Sequence, residues 1–184
     1  MRRILVTGNA GSGKSTLAKQ IATMLDMPCH GLDRIVWKSG WRKAPMEERD
    51  DHIRQIAERD EWVIDGVSLL AQGAADTVVF LDVPRRVSFL RVAKRNWRYL
   101  FRSRPDLPPD CPEWRIIPTL CRIIWNFPGK VRPKILDQAR LSSKSQEFIH
   151  VRSAPDLSAF LKMVGERLSD VGDPLSRDTV PRRS

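Results

Sequence analysis

The chain has little that would place it among disulfide scaffolds, zinc proteins or membrane proteins. Its three cysteines, Cys29, Cys111 and Cys121, form no Cys-x-x-Cys pair and no zinc-finger spacing. That argues against a disulfide framework and fits isolated thiols in a reducing cytoplasm, used as small core residues. His30, His52 and His150 stand too far apart for a metal-ligand motif, and no local Ser-His-Asp or Cys-His signature is present. No apolar run approaches the roughly 20 residues that cross a bilayer. After Arg2-Arg3 the apolar stretch is only Ile4-Leu5-Val6, so neither a signal peptide nor a membrane partner is expected. Internal repeats are absent. Acidic residues are in deficit, 22 Asp and Glu against 32 Lys and Arg, for a net charge of +10. That excess suggests an anionic partner, but phosphate substrates and nucleic acid meet the description equally.

With 184 residues the chain suits one α/β domain with a full core and a small insertion. The apolar runs Ile4-Leu5-Val6, Trp62 to Gly66 and Thr77 to Asp82 read as buried strands, with Pro28 to Gly31 and Glu147 to Val151 as weaker ones. Helical patterns fall between them at Glu47 to Arg59, Arg85 to about Phe101, and Leu157 to Leu168. Strands alternating with helices imply a parallel sheet covered on both faces. A proline-rich stretch, Arg104 to Pro112, breaks the rhythm, and the block Glu113 to Phe127 after it reads as an inserted helical cap. The polar residues 172–184 are expected to form a disordered tail.

The most informative segment is Gly8-Asn9-Ala10-Gly11-Ser12-Gly13-Lys14-Ser15, a match to G-x-x-x-x-G-K-[ST]. It follows a strand and opens a helix with Lys14, Ser15 and Thr16, whose apolar face carries Leu17, Ile21, Met24 and Leu25. This is the context a phosphate-binding loop requires. Glycines let backbone N–H groups from Gly8 to Thr16 turn toward a phosphate at a helix N-terminus. Lys14 would reach the β- and γ-phosphates of ATP, and the Ser15 hydroxyl would bind Mg²⁺.

Further candidates are ranked by chemistry. Asp65 and Asp82 each end an apolar strand, so either suits a second metal contact; Gly66 favours Asp65, whereas Pro84 makes Asp82 look like a helix-capping carboxylate. From Arg85 to Arg104 there are many basic residues and no acidic one, and Arg91, Arg95, Arg98 and Arg102 share a helical face. Like charges at that spacing repel, which favours a phosphate clamp over a solvated face. Asp33, beyond the second strand, is placed either to accept a proton from an acceptor hydroxyl or simply to start a helix. Trp37 and Trp41 suit stacking on a substrate or plain packing.

Taken together, the P-loop, Leu32-Asp33, Trp37-x-x-Gly40-Trp41, Glu61 to Gly66 and Ala75 to Arg85 resemble the adenylate-kinase-like P-loop kinases. Arg104-Pro105-Asp106, Cys111-Pro112-Glu113, Ile124 to Phe127 and Arg132-Pro133 extend the likeness toward the bacterial DNA topology modulation (FlaR-like) proteins. The resemblance implies a three-layer α/β/α P-loop NTPase fold over residues 1–171, with five parallel strands in the order 2-3-1-4-5. It implies an acceptor-binding segment at 33–60, to which Asp33, Trp37 and Arg42 belong, and a helical lid at 102–133, from which Arg132 would touch a phosphate. It assigns the metal-associated carboxylate to Asp65, the ATP-phosphate clamp to Arg91 and Arg95, and an adenine-holding loop to Arg152-Ser153-Ala154. One departure is plain: the Phe-Pro-Arg that follows the third-strand Asp-Gly of adenylate kinases is Val67-Ser68-Leu69 here.

These features lead to an ATP- and Mg²⁺-dependent kinase acting on a small-molecule or nucleotide acceptor, as a monomer or homodimer. The alternative is an ATP-binding regulatory protein that contacts nucleic acid through its basic surface, or an ATP-binding relic without an acceptor.

Overall fold

A computed structural model describes residues 1–98, 108–142 and 145–171. The sequence-based expectations for residues 102–107 of the lid and for the 172–184 tail fall outside them. Ile4, Leu5 and Val6 of β1 (Arg3–Gly8) are fully buried, as a strand covered on both faces must be. β1 lies at the centre of a parallel sheet of five strands in the order β2-β5-β1-β6-β7. The others are β2 (Cys29–Gly31), β5 (Trp62–Asp65), β6 (Thr77–Leu81) and β7 (Glu147–Val151). Counting only these five, the order is 2-3-1-4-5, as expected. Leu5 pairs with Ile64 on one side and Val78 on the other.

Alternation along the strands divides the core. Ile4, Val6, Val63 and Val79 pack with Leu17 and Ile21 of α1 (Lys14–Leu25) and with Phe160 and Val164 of α8 (Ala154–Val171). On the opposite face, Leu5, Ile64 and Val78 pack with Ile53 and Ile56 of α3 (Met46–Ala57) and Ala71 of α4 (Leu69–Ala74). Each fully buried aliphatic side chain contributes about 1.5–3 kcal/mol. These two layers of helices complete the three-layer arrangement.

Several elements depart from expectation. α4 was not anticipated; it is one and a half turns long, too short for periodicity to reveal, and is started by Ser68, whose hydroxyl accepts from the Ala71 amide. Between α2 (Leu32–Val36) and α3 the chain forms a small antiparallel hairpin, β3 (Trp37–Lys38) and β4 (Arg42–Lys43). Its turn uses left-handed backbone at Gly40 and Trp41. α6 (Glu113–Lys130) continues through Pro118 and Pro128, instead of ending near Phe127. α5 (Arg85–Arg98) pairs with α6, and α7 (Arg132–Leu141) follows directly, with Pro133 in its first turn.

Candidate active site

The glycine-rich loop joins the end of β1 to α1, and its shape is fixed from within and from outside. Asn9 Oδ1 accepts from the Ala10 amide at 2.8 Å, and the Asn9 carbonyl accepts from the Ser12 amide at 3.2 Å. Gly11 has φ 74, and a Cβ there would lie 2.7 Å from both the Ser88 carbonyl oxygen and Val92 Cγ2 of α5. Only glycine lets the loop settle this closely on α5. Asn9 Nδ2 donates to the Ile124 carbonyl of α6 at 3.2 Å. That carbonyl is available because Pro128, four residues on, has no N–H to give it. The first turn of α1 holds no acidic residue and, among the described residues, no side chain caps it at Gly13. Its amides and partial positive charge are therefore free to meet an anion.

A cavity of ≈ 820 Å³ opens over this loop. Its walls include Gly8, Ala10, Gly11, Gly13, Lys14, Ser15 and Thr16 from the expected set, together with Arg91 and Arg95 from α5. Ser12 is buried beneath, and its carbonyl accepts from Arg91 at 2.8 Å. Arg91 is thereby fixed against the loop that it was expected to assist. Of the arginines expected on that helical face, Arg98 ends α5 and Arg102 lies outside the described residues. Asp33, in the first turn of α2, lines the same cavity, as do Trp37 and Trp41. The two indoles meet edge-on with centroids 5.3 Å apart, and Lys43 lies over Trp37.

A second cavity of ≈ 590 Å³ lies beside the first, between α1, β2 and α3, and reaches the surface by Cys29, His52 and Arg59. The two share Ser15, Lys19 and Asp33. Asp65 lines the second cavity and accepts a hydrogen bond from Ser15. Burial raises the Asp65 pKa, against the opposing pull of Lys14 and the Ser15 hydroxyl. Its Oδ1 is buried with no hydrogen-bond partner among the described residues. A hydroxyl and a carboxylate with an unused oxygen fit Mg²⁺, which takes few protein ligands beside substrate phosphates. Among the described residues no cluster of three or more His, Cys, Asp or Glu side chains could hold a metal by itself.

Asp82 serves another purpose than the helix cap its sequence suggests. Its carboxylate accepts from Arg132 Nε at 2.9 and 3.1 Å, and lies 2.9 Å from His150 Nε2. Burial works to raise its pKa, but the hydrogen bonds to Arg132 and His150 outweigh that and hold it below the usual carboxylate range. Arg132, expected as a phosphate contact, is thus engaged at the end of β6 and is not part of either cavity wall. Arg42 is exposed and donates to the Ser39 carbonyl, outside both cavities. The Arg152 amide is held by Asp156 at the start of α8, and its side chain lines neither cavity.

Several cavity residues escaped the sequence reading. Lys19 lies one turn beyond Ser15 on α1, a spacing that could have revealed it. Arg49 and Lys43 also line the cavity, and Arg49 Nε is buried without a hydrogen-bond partner among the described residues. Ile116, Leu120, Ile123 and Phe127 of α6 form an apolar wall.

No family model and no curated protein sequence matches the chain. Among solved structures it is similar to a shikimate kinase from Acinetobacter baumannii in complex with shikimate, with a TM-score of 0.53 at 16% identity, covering 92% of this chain and 94% of that one. It is also similar to a shikimate kinase from Bacteroides thetaiotaomicron, with a TM-score of 0.51 at 20% identity, covering 91% of this chain and 98% of the other. The fold of this chain is that of these proteins, a P-loop α/β/α architecture built on five parallel strands.

Proposed function

We propose that this protein is an ATP-dependent kinase of a small hydroxylated molecule or nucleotide. One observation carries the reading: the open helix N-terminus, Lys14, Arg91 and Arg95 converge on one cavity that Asp33 and two tryptophans also line. That is a phosphate cradle facing an acceptor pocket. The similar structures with the same fold include small-molecule kinases.

In this reading the loop amides and Lys14 hold the β- and γ-phosphates. Ser15 and Asp65 would hold Mg²⁺, which when bound neutralises charge across the phosphates. An acceptor hydroxyl oxygen attacks the γ-phosphorus, and the bond to the bridging oxygen breaks to release ADP. Asp33 orients that hydroxyl and takes its proton. Arg91 and Arg95 meet the negative charge that spreads over the transferring group. The lid at 102–133, membership of the FlaR-like group and residence in the cytoplasm belong to the same proposal; Arg152, Arg42 and Arg132 have the weakest claims within it. A coupled ADP-release assay across nucleosides, nucleotides, polyols and hydroxy acids tests it. An acceptor-stimulated rate that Lys14→Ala abolishes is the expected result, and acceptor-independent rates throughout would overturn it.

The nucleic-acid reading has its own support in Trp97, Trp114 and Trp125, which are 82%, 50% and 64% exposed on the basic helices α5 and α6. Duplex binding that weakens steeply with salt and responds to ATP would favour it.

A further inference from the structure

Glu113 is the first residue of α6, and its side chain is 0% exposed. An acidic residue in a helix's first turn is ordinarily a solvated one, favoured by the macrodipole. Complete burial needs a stronger reason, because a carboxylate withdrawn from water is costly unless a cation faces it. Among the described residues a cation facing it is Arg95, whose Nη2 lies 4.0 Å from Glu113 Oε2. Arg95 is also steered on that same edge, since its Nε and Nη2 both lie 3.4 Å from Asn96 Oδ1. Its guanidinium remains on the cavity wall while that edge meets both side chains. The 4.0 Å separation matters: the carboxylate fixes the direction of the charge without closing a tight pair that phosphate would have to break.

Glu113 is in turn fixed by the residues before it. Trp41 Nε1 donates to the Pro112 carbonyl at 2.9 Å, the Gly40 amide donates to the Asp110 carbonyl at 3.1 Å, and the Cys111 thiol lies 3.6 Å from the Lys38 carbonyl. Cys111 is itself fully buried. Residues 110–113 therefore form a strap with one end on the tryptophan hairpin and the other against Arg95.

We propose that Glu113 is the positioning residue for Arg95, and that the strap ties this arginine to the hairpin that lines the acceptor end of the cavity. The proposal rests on the kinase reading for the role of Arg95, but the pairing itself can be tested without turnover. Glu113→Gln keeps the side-chain shape and removes the charge. In the full chain its kcat falls on the order of tenfold to a hundredfold while KM for ATP stays within about threefold, as loss of an interaction made in the transition state requires. Arg95→Gln falls at least as far, and the double variant falls no further than Arg95→Gln alone. Independently of activity, the Arg95 Nε–Hε resonance, assigned through Arg95→Lys, moves in Glu113→Gln and returns toward its wild-type position in Glu113→Asp. Fully additive rate losses, or an Arg95 resonance indifferent to Glu113→Gln, would overturn the proposal. Should Glu113→Gln fail to fold, Trp41→Phe removes the indole donor to Pro112 and must move the same resonance; an unmoved signal overturns the strap. If the wild-type protein transfers no phosphate to any acceptor, the kinase reading falls while the resonance still decides the pairing.

Discussion

At the scale of single residues, the two strand-end carboxylates separate because their surroundings differ. Asp65 is buried beside Lys14 and Ser15 with one oxygen unused, and its pKa is raised. Its ionisation therefore opposes folding: as pH rises through the ordinary carboxylate range, the unfolded chain releases this proton first, and stability falls. Asp65→Asn is expected to raise the melting temperature of the nucleotide-free protein at neutral pH and to abolish Mg²⁺-dependent transfer. Scanning calorimetry beside the coupled assay reads both, and an unchanged melting temperature would contradict the cost assigned to this charge. Asp82 has the opposite sign. Its pKa is lowered, so its stabilisation is present above the unfolded carboxylate pKa and is lost as pH falls through the folded one. Asp82→Asn should cost about 1–2 kcal/mol at neutral pH, a figure reduced for the partly exposed Arg132. The deficit against wild type should shrink in denaturation series taken toward acid, where the wild-type carboxyl is itself protonated. The difference between the two acids was only partly legible in sequence. Gly66 marked Asp65 as a place where backbone could approach a ligand closely; in the structure the space a Cβ would take is met by the Leu32 side chain, at 2.7 Å. Arg132 and His150, 50 and 68 residues away, gave no local sign that they meet at Asp82.

At the scale of elements, strands that are apolar throughout were readable and their partners were not. β1, β5 and β6 sit where uninterrupted apolar runs put them, since burial on both faces leaves no polar interruption. The β3–β4 hairpin is two residues a strand and carries only a turn signal at Gly40. α6 continues through Pro128 where a proline ordinarily marks an end, and the cost of the missing donor is offset by the bond from Asn9 to Ile124. Pro128→Ala supplies an amide that competes for that carbonyl. Its expected effect is a several-fold loss of affinity for a non-hydrolysable ATP analogue, measured by calorimetry, and faster amide exchange in residues 9–13, with no loss of melting temperature. Unchanged affinity would mean that the tether does nothing for the loop.

At the scale of the whole molecule, a ligand that binds only the folded state stabilises it by mass action, about 2.7 kcal/mol at a hundredfold excess over Kd. Mg²⁺ with an ATP analogue should therefore raise the melting temperature by several degrees in wild type and not in Lys14→Ala, whose far-ultraviolet circular dichroism should match wild type. A shift that survives the substitution would place the nucleotide elsewhere.

The pair of cavities that meet at Ser15, Lys19 and Asp33 gives this site a rear entrance. In the kinase reading, solvent arriving past Cys29 and Arg59 would reach the nucleotide by way of Ser15, Lys19 and Asp33. That reading then predicts a slow leak of ATP to ADP and inorganic phosphate without any acceptor, which a bulky side chain at Gly31, with open space around it, should suppress by plugging the passage.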